Sequence, residues 1–195
     1  MTDSATEDSW ILEIRNRLGT PPPRRSKTQG AAHAAFVPIY VDAGALWVLL
    51  SETDRALALD WGTIAFPGAG LETGEEPWEV IKRICEEETG AGPDKVLRLG
   101  ELDEVDTLHG FSVVPCIGAI PPPGEEVLRS ALEVVPLPLI AFQDSRLIED
   151  RSVSVDGNEG WIRVYHVGKR RVAGTAAQIL EALTQRLQAE PLLAP

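Results

Sequence analysis

Apolar residues first recur at helical spacing. Trp10, Ile11, Ile14 and Leu18 fall on one face, and Gly19 supplies a stop signal, which predicts a short amphipathic helix over residues 5–18. From Ala35 to Val41 and from Ala45 to Leu50 the chain is dense in Val, Ile, Leu and aromatic residues. Asp42-Ala43-Gly44 between the two runs reads as the turn of a hairpin. Further strands are expected at 63–66, 96–102, 111–120 and 161–167, and further helices at 76–89 and 173–189, the last ending before Pro191. This alternation predicts a layered α/β (α+β) domain and excludes a helical bundle.

Three polar or proline-rich stretches break the pattern. Pro21 to Lys27 cannot form regular helix or a central strand, so it reads as an extended linker that lays the first helix on the rest of the chain. Residues 121–126 and 143–160 read as loops, either lining an active site or lying on the surface. The organisation expected is an N-terminal helix and linker over 1–30, followed by one domain over 31–190.

Composition narrows the class. The 195 residues are 44% hydrophobic, enough for a core that folds without staples. There is no 18-residue apolar run, and Met1 to Asp8 is polar and acidic where an export signal would be basic and then apolar; a cytoplasmic location is expected. Cys85 and Cys116 lack CxxC spacing and sit among apolar neighbours, as buried thiols do. The net charge of −12 argues against nucleic acid or an anionic membrane as partner. An anionic small-molecule substrate would need a bridging cation.

The stretch from Phe66 to Ala91, FPGAGLETGEEPWEVIKRICEEETGA, carries the candidate chemistry. Pro67-Gly68-Ala69-Gly70 is a strand exit in which glycine allows positive φ and close approach of the backbone to a ligand. Pro77 suits the first turn of a helix, and Glu75, Glu76 and Glu79 suit its amino-terminal end. Arg83 stands four residues from both Glu79 and Glu87, a spacing at which such pairs brace one another. Glu87 and Glu88 are adjacent carboxylates within reach of one cation. Mg²⁺ or Mn²⁺ held by hard carboxylate oxygens can clamp a diphosphate and lower the pKa of water, although acidic runs on helices are more commonly just solvated.

The stretch resembles the Nudix box: Gly, five residues, Glu, seven residues, then Arg-Glu-apolar-x-Glu-Glu-x-Gly-apolar. Ala69 takes the glycine place, Glu75 the first glutamate, Arg83 the arginine, Cys85 the apolar place, and Glu87, Glu88, Gly90 and Ala91 complete the register. The resemblance implies a Nudix fold, an α/β/α sandwich with a mixed central sheet. It also implies a metal-dependent hydrolase of a pyrophosphate linkage. On that basis Glu87 and Glu88 hold Mg²⁺ or Mn²⁺, Glu75 supports the site, Arg83 orients the carboxylates, and Gly68, Ala69 and Gly70 approach metal or phosphate.

Ile84 departs from the pattern, standing where the family has a glutamate that ligates metal or helps activate water. Glu86 cannot replace it, because two residues along a helix turn a side chain by about 200°. Either a loop carboxylate (Glu101, Glu104, Asp106, Glu149 or Asp150) completes the site, or hydrolysis is weak or lost and the protein binds a nucleotide or partner instead.

Beyond the box, residues 34–187 are similar to the coenzyme A pyrophosphatase branch. The likeness is carried by Leu49-Leu50-Ser51-Glu52-Thr53-Asp54, Leu57, Gly62 to Ala69, Leu99 to Leu102, Gly110 to Pro115 and Gly174 to Leu180. Thr53, Asp60 and Thr63 replace that branch's arginine, histidine and glutamine. Coenzyme A or another nucleoside diphosphate derivative is the implied substrate, and a homodimer the implied assembly.

Among other residues, His109 is either a surface residue or a contact at the site. His33 and His166 lack neighbours at zinc-ligand spacing. Trp47, Trp61, Trp78 and Trp161 suit core or rim packing or stacking on a base. Ser51, Ser112 and Ser130 lack a nucleophile elbow. Lys169-Arg170-Arg171 is either solvated or meets an anionic group.

Overall fold

A computed structural model describes residues 4–25, 32–52, 64–107, 109–128, 134–155 and 158–187. The substituted positions Thr53, Asp60 and Thr63, together with Trp61, Ser130 and residues 188–190, lie outside that set.

The chain runs α1 (Ser4–Gly19), β1 (Ala32–Asp42), β2 (Ala45–Glu52), β3 (Ile64–Ala65), β4 (Gly68–Gly70), α2 (Pro77–Thr89), β5 (Leu97–Glu101), β6 (Val105–Asp106), β7 (Ser112–Ala119), α3 (Glu125–Leu128), β8 (Val134–Pro138), β9 (Ile148–Val155), β10 (Asn158–Val167), β11 (Arg170–Ala173) and α4 (Gly174–Leu187). One mixed sheet has the order β5-β7-β1-β2-β3-β11-β10-β9, with β4 on β1, β6 on β7 and β8 on β2. The α+β class expected from the alternation is the one observed. The β1–β2 hairpin turns through Ala43 and Gly44, both at positive φ (48° and 74°), the conformation that lets a two-residue turn match the strands' twist.

β1 organises the sheet. Along its length it pairs in parallel with β7, while its other edge is shared: His33 to Ala35 face β4, and Ile39 to Asp42 face β2. Its side chains alternate between two cores. Ala35, Val37 and Ile39 join α1 and α4 in one, through Trp10, Ile14, Leu18, Leu180 and Leu183. Ala34, Phe36 and Tyr40 join Trp78, Val80, Ile81 and Cys85 of α2 in the other. Helices therefore cover both faces.

Residues 21–25 lie against the rest of the chain. Arg24 donates its N–H to Asp103 and accepts from the N–H of Glu104, and Arg186 donates to the Pro21 carbonyl. Both cysteines are free and buried. No helix of the described chain is long and apolar enough to cross a membrane.

Several stretches differ from expectation: α3 begins within residues 121–126, expected as loop, and the short strands β4 and β6 were not expected. Residues 143–160, expected as loop, are mostly strand: β9 and β10 form an antiparallel hairpin. β9 carries little apolar alternation; it meets β10 through a small cluster of Val153, Ile162 and Val164 and through ion pairs, Asp150 with Arg163 at 2.9 Å and Glu149 with His166 at 2.8 Å. β8 also escaped the pattern, since Pro136 and Pro138 argue against a central strand. Among the described strands it pairs only with β2, and on such an edge proline is tolerated.

Candidate functional site

The segment from Phe66 to Ala91 folds as strand, loop and helix. β4 lies antiparallel to β1, Gly68 opposite Ala35 and Gly70 opposite His33. Neither Gly68 nor Gly70 has positive φ, contrary to the expectation for this exit. Gly68 is required for a different reason: a Cβ there would stand 2.7 Å from the Ala34 carbonyl oxygen. Ala69 points to the opposite side and packs with Leu71 and Ile84 on the α2 core.

The loop then closes on itself. Glu72 and Glu75 bond reciprocally, Glu72 N–H to Glu75 Oε2 and Glu75 N–H to the Glu72 carbonyl, both at 3.0 Å, while Gly74 takes positive φ. Arg83 Nη2 lies 3.3 Å from both oxygens of Glu75. The Glu72 amide first, and Arg83 second, hold the Glu75 carboxyl below its ordinary pKa. The side-chain partner of Arg83 is thus Glu75, not Glu79 or Glu87 as helical spacing suggested. Glu79 turns back to accept from the Glu76 N–H at 3.0 Å and caps the helix, with Pro77 in its first turn. At the far end Gly90, at φ 73°, donates to the Glu86 carbonyl, and a Cβ on it would meet Val127 of α3 at 2.7 Å.

Glu87 and Glu88 occupy the last turn of α2. Glu87 is exposed and Glu88 half-buried. Neither has a hydrogen-bond donor or a cation beside it among the described residues. Burial, and next the charge of Glu87, push the Glu88 carboxyl above its usual range. Ile84, one turn back, is half-buried against the α2 core.

The loop carboxylates proposed to replace a glutamate at 84 have other partners. Glu101 is buried between Arg25 and Arg98, the latter at 3.0 Å. Glu149 accepts from Arg151 at 2.6 Å and meets His166 at 2.8 Å, and Asp150 pairs with Arg163. Among the described residues, no three His, Cys, Asp or Glu side chains converge as a metal cluster. The two adjacent carboxylates still suit a hard cation that takes its other ligands from water and phosphate, as Mg²⁺ commonly does.

His109 stacks on Phe111 at 6.4 Å between ring centres, and Phe111 in turn contacts His33 at 4.5 Å. Trp78 is buried in the α2 core, whereas Trp161 is 73% exposed. The Glu149–His166 contact was not visible in sequence, because seventeen residues separate the partners and only the β9–β10 register joins them.

Comparison with known proteins follows the same segment. A protein from Photorhabdus laumondii described as "Uncharacterized Nudix hydrolase NudL" is 25% identical over 89% of this chain and 95% of its own. A protein of the same description from Klebsiella aerogenes is 31% identical over 62% of this chain and all of its own. The crystal structure of a MutT/nudix family protein from Enterococcus faecalis is 16% identical, covers 98% of this chain and 78% of that one, and has a TM-score of 0.49. The model of the NUDIX domain family matches residues 31–175, which is most of the chain and includes the whole of β4, the capped loop and α2. The chain belongs to the Nudix hydrolase family.

Proposed function

We propose that this Nudix hydrolase is a divalent-metal-dependent pyrophosphohydrolase acting on coenzyme A or a related nucleoside diphosphate derivative. The observation that carries the metal assignment is the unpartnered Glu87–Glu88 pair. A half-buried carboxylate beside a second one, with no cation among the described residues, is a poor arrangement for stability and a good one for binding Mg²⁺ or Mn²⁺. Bound there, the metal supplies Lewis acidity toward the diphosphate oxygens and makes water a better nucleophile.

The chain's own residues do the positioning. Arg83 and Glu75 fix the loop on the helix that carries the carboxylates. β4 pairs only with β1 among the described strands, so Gly68, Ala69 and Gly70 have main-chain groups on their other edge to offer a phosphate. The hydrolase unit spans residues 31–190, and α1 packs against its core through Trp10, Ile14 and Leu18. With coenzyme A the products are 4′-phosphopantetheine and 3′,5′-ADP. A homodimer and a cytoplasmic setting accompany this reading, the first open to light scattering. Chromatography of products from coenzyme A and a panel of nucleoside diphosphate derivatives, with Mg²⁺, Mn²⁺ or chelator, tests it; the expected result is metal-dependent cleavage that Glu88→Gln removes.

A second reading is supported by Ile84, whose side chain packs on the α2 core where the family has a glutamate. In that reading the protein binds a nucleotide or partner without turnover. Absence of cleavage across the panel, together with a large gain in the Ile84→Glu variant, would favour it.

A further inference from the structure

The basic turn after β10 is absorbed neither by the core nor by the carboxylate helix. Residues on this wing of the sheet divide between its two faces. Tyr165 and Val172 belong to the core covered by α1 and α4, so they mark one face. Arg163 bonds Glu181 of α4 from that face, and Arg170, two residues before Val172, shares it. His166 and Arg171 are direct cross-strand partners on the opposite face. Glu149 joins them there, its two oxygens divided between His166 Nε2 at 2.8 Å and Arg151 Nε at 2.6 Å.

This face thus presents Arg151, His166 and Arg171 against one carboxylate. Arg171 is exposed and has no hydrogen-bond or ion-pair partner among the described residues. In a chain of net charge −12, a local excess of positive charge runs against the overall field. The face is also the α2 side of the sheet, because the opposite side belongs to the α1 and α4 core. β3, on which β11 lies, pairs β2 on the same edge as β1 does, opposite β8, and leads through Phe66-Pro67 into β4, so this wing adjoins the strand that enters the loop before α2.

We propose that Arg171 and His166, with Arg151 held beside them by Glu149, form a subsite for a second anionic group of the substrate, a phosphate monoester set apart from the diphosphate. The assignment rests on the diphosphate being held at Glu87 and Glu88. Arg171 supplies a planar fork of donors, while Glu149 holds His166 and Arg151 in place and keeps the row from repelling itself.

The test is calorimetric binding of 3′,5′-ADP and of 5′-AMP, which differ only in the 3′-phosphate, to the full chain in chelator. Binding without metal reads the subsite independently of turnover, so loss of hydrolysis and loss of this subsite are separable. The expected result is about tenfold or greater preference for 3′,5′-ADP, consistent with one charge-assisted contact. Arg171→Ala should abolish the preference, and Arg170→Ala, altered on the other face, should keep it. Equal affinities for the two nucleotides, no binding of either, or a preference that survives Arg171→Ala would overturn the proposal.

Discussion

The Arg83 guanidinium stands 3.3 Å from both carboxylate oxygens of Glu75, eight residues earlier in the chain. One contact therefore ties the loop before α2 to the middle of the helix. Arg83→Ala should leave the fold intact and lower turnover by roughly 10–100-fold, the scale on which supporting contacts act at metal sites. A carboxyl NMR titration should show the Glu75 pKa, held low in the unaltered protein, rising in this variant. Because the folded-state pKa is depressed, Glu75 contributes stability above its unfolded value, and that contribution is lost as pH falls through the folded one.

Glu88 has the opposite sign. Its carboxyl is raised, so in the metal-free protein its charge disfavours folding at neutral pH, and the penalty eases as pH falls. Glu88→Gln should raise the melting temperature of the metal-free protein, remove stabilisation by Mn²⁺, and reduce turnover on the order of 100-fold or more. Melting curves with and without Mn²⁺ check the first two outcomes, and product formation the third. In the unaltered protein, apparent Mn²⁺ affinity should fall as pH is lowered toward the raised Glu88 pKa and protons compete for the carboxylate.

Ile84→Glu replaces an apolar side chain that packs on the α2 core with a carboxylate beside two others. It should cost the metal-free protein about 1–3 kcal/mol in urea unfolding. It should also tighten Mn²⁺ binding, measured by calorimetry.

Gly68→Ala and Gly70→Ala should separate cleanly. A Cβ at 68 meets main chain, the Ala34 oxygen at 2.7 Å, whereas at 70 the nearest atom is the His33 side chain at 3.7 Å. Overpacking against backbone should cost about 1–3 kcal/mol at 68. At 70, the same unfolding measurement should show a much smaller change.

α1, α2, α4 and the first hairpin were legible because periodicity and turn chemistry are local. α2 was expected at 76–89 and spans Pro77–Thr89, since its capping glutamates and Pro77 lie within a few residues of one another. What sequence concealed depends on partners distant in the chain. The partner of Arg83 was misassigned because spacing along the helix favours Glu79 and Glu87, while the self-bonded Glu72–Gly74 turn brings Glu75 within reach. β9 was hidden because the ion pairs and the Val153, Ile162 and Val164 cluster that join it to β10 exist only in register.

The last turn of α2 holds Glu87 and Glu88 and contains no basic residue. The unpaired carbonyls at that end already carry partial negative charge, and helices commonly place lysine or arginine there to offset it. Here backbone and side chains reinforce one another, so the helix terminus is a negative pole facing solvent. A divalent ion settling on it would discharge the pole as well as engage two carboxylates, and its binding energy would count as folding energy. The lifetime of the folded chain would then follow the free divalent metal around it.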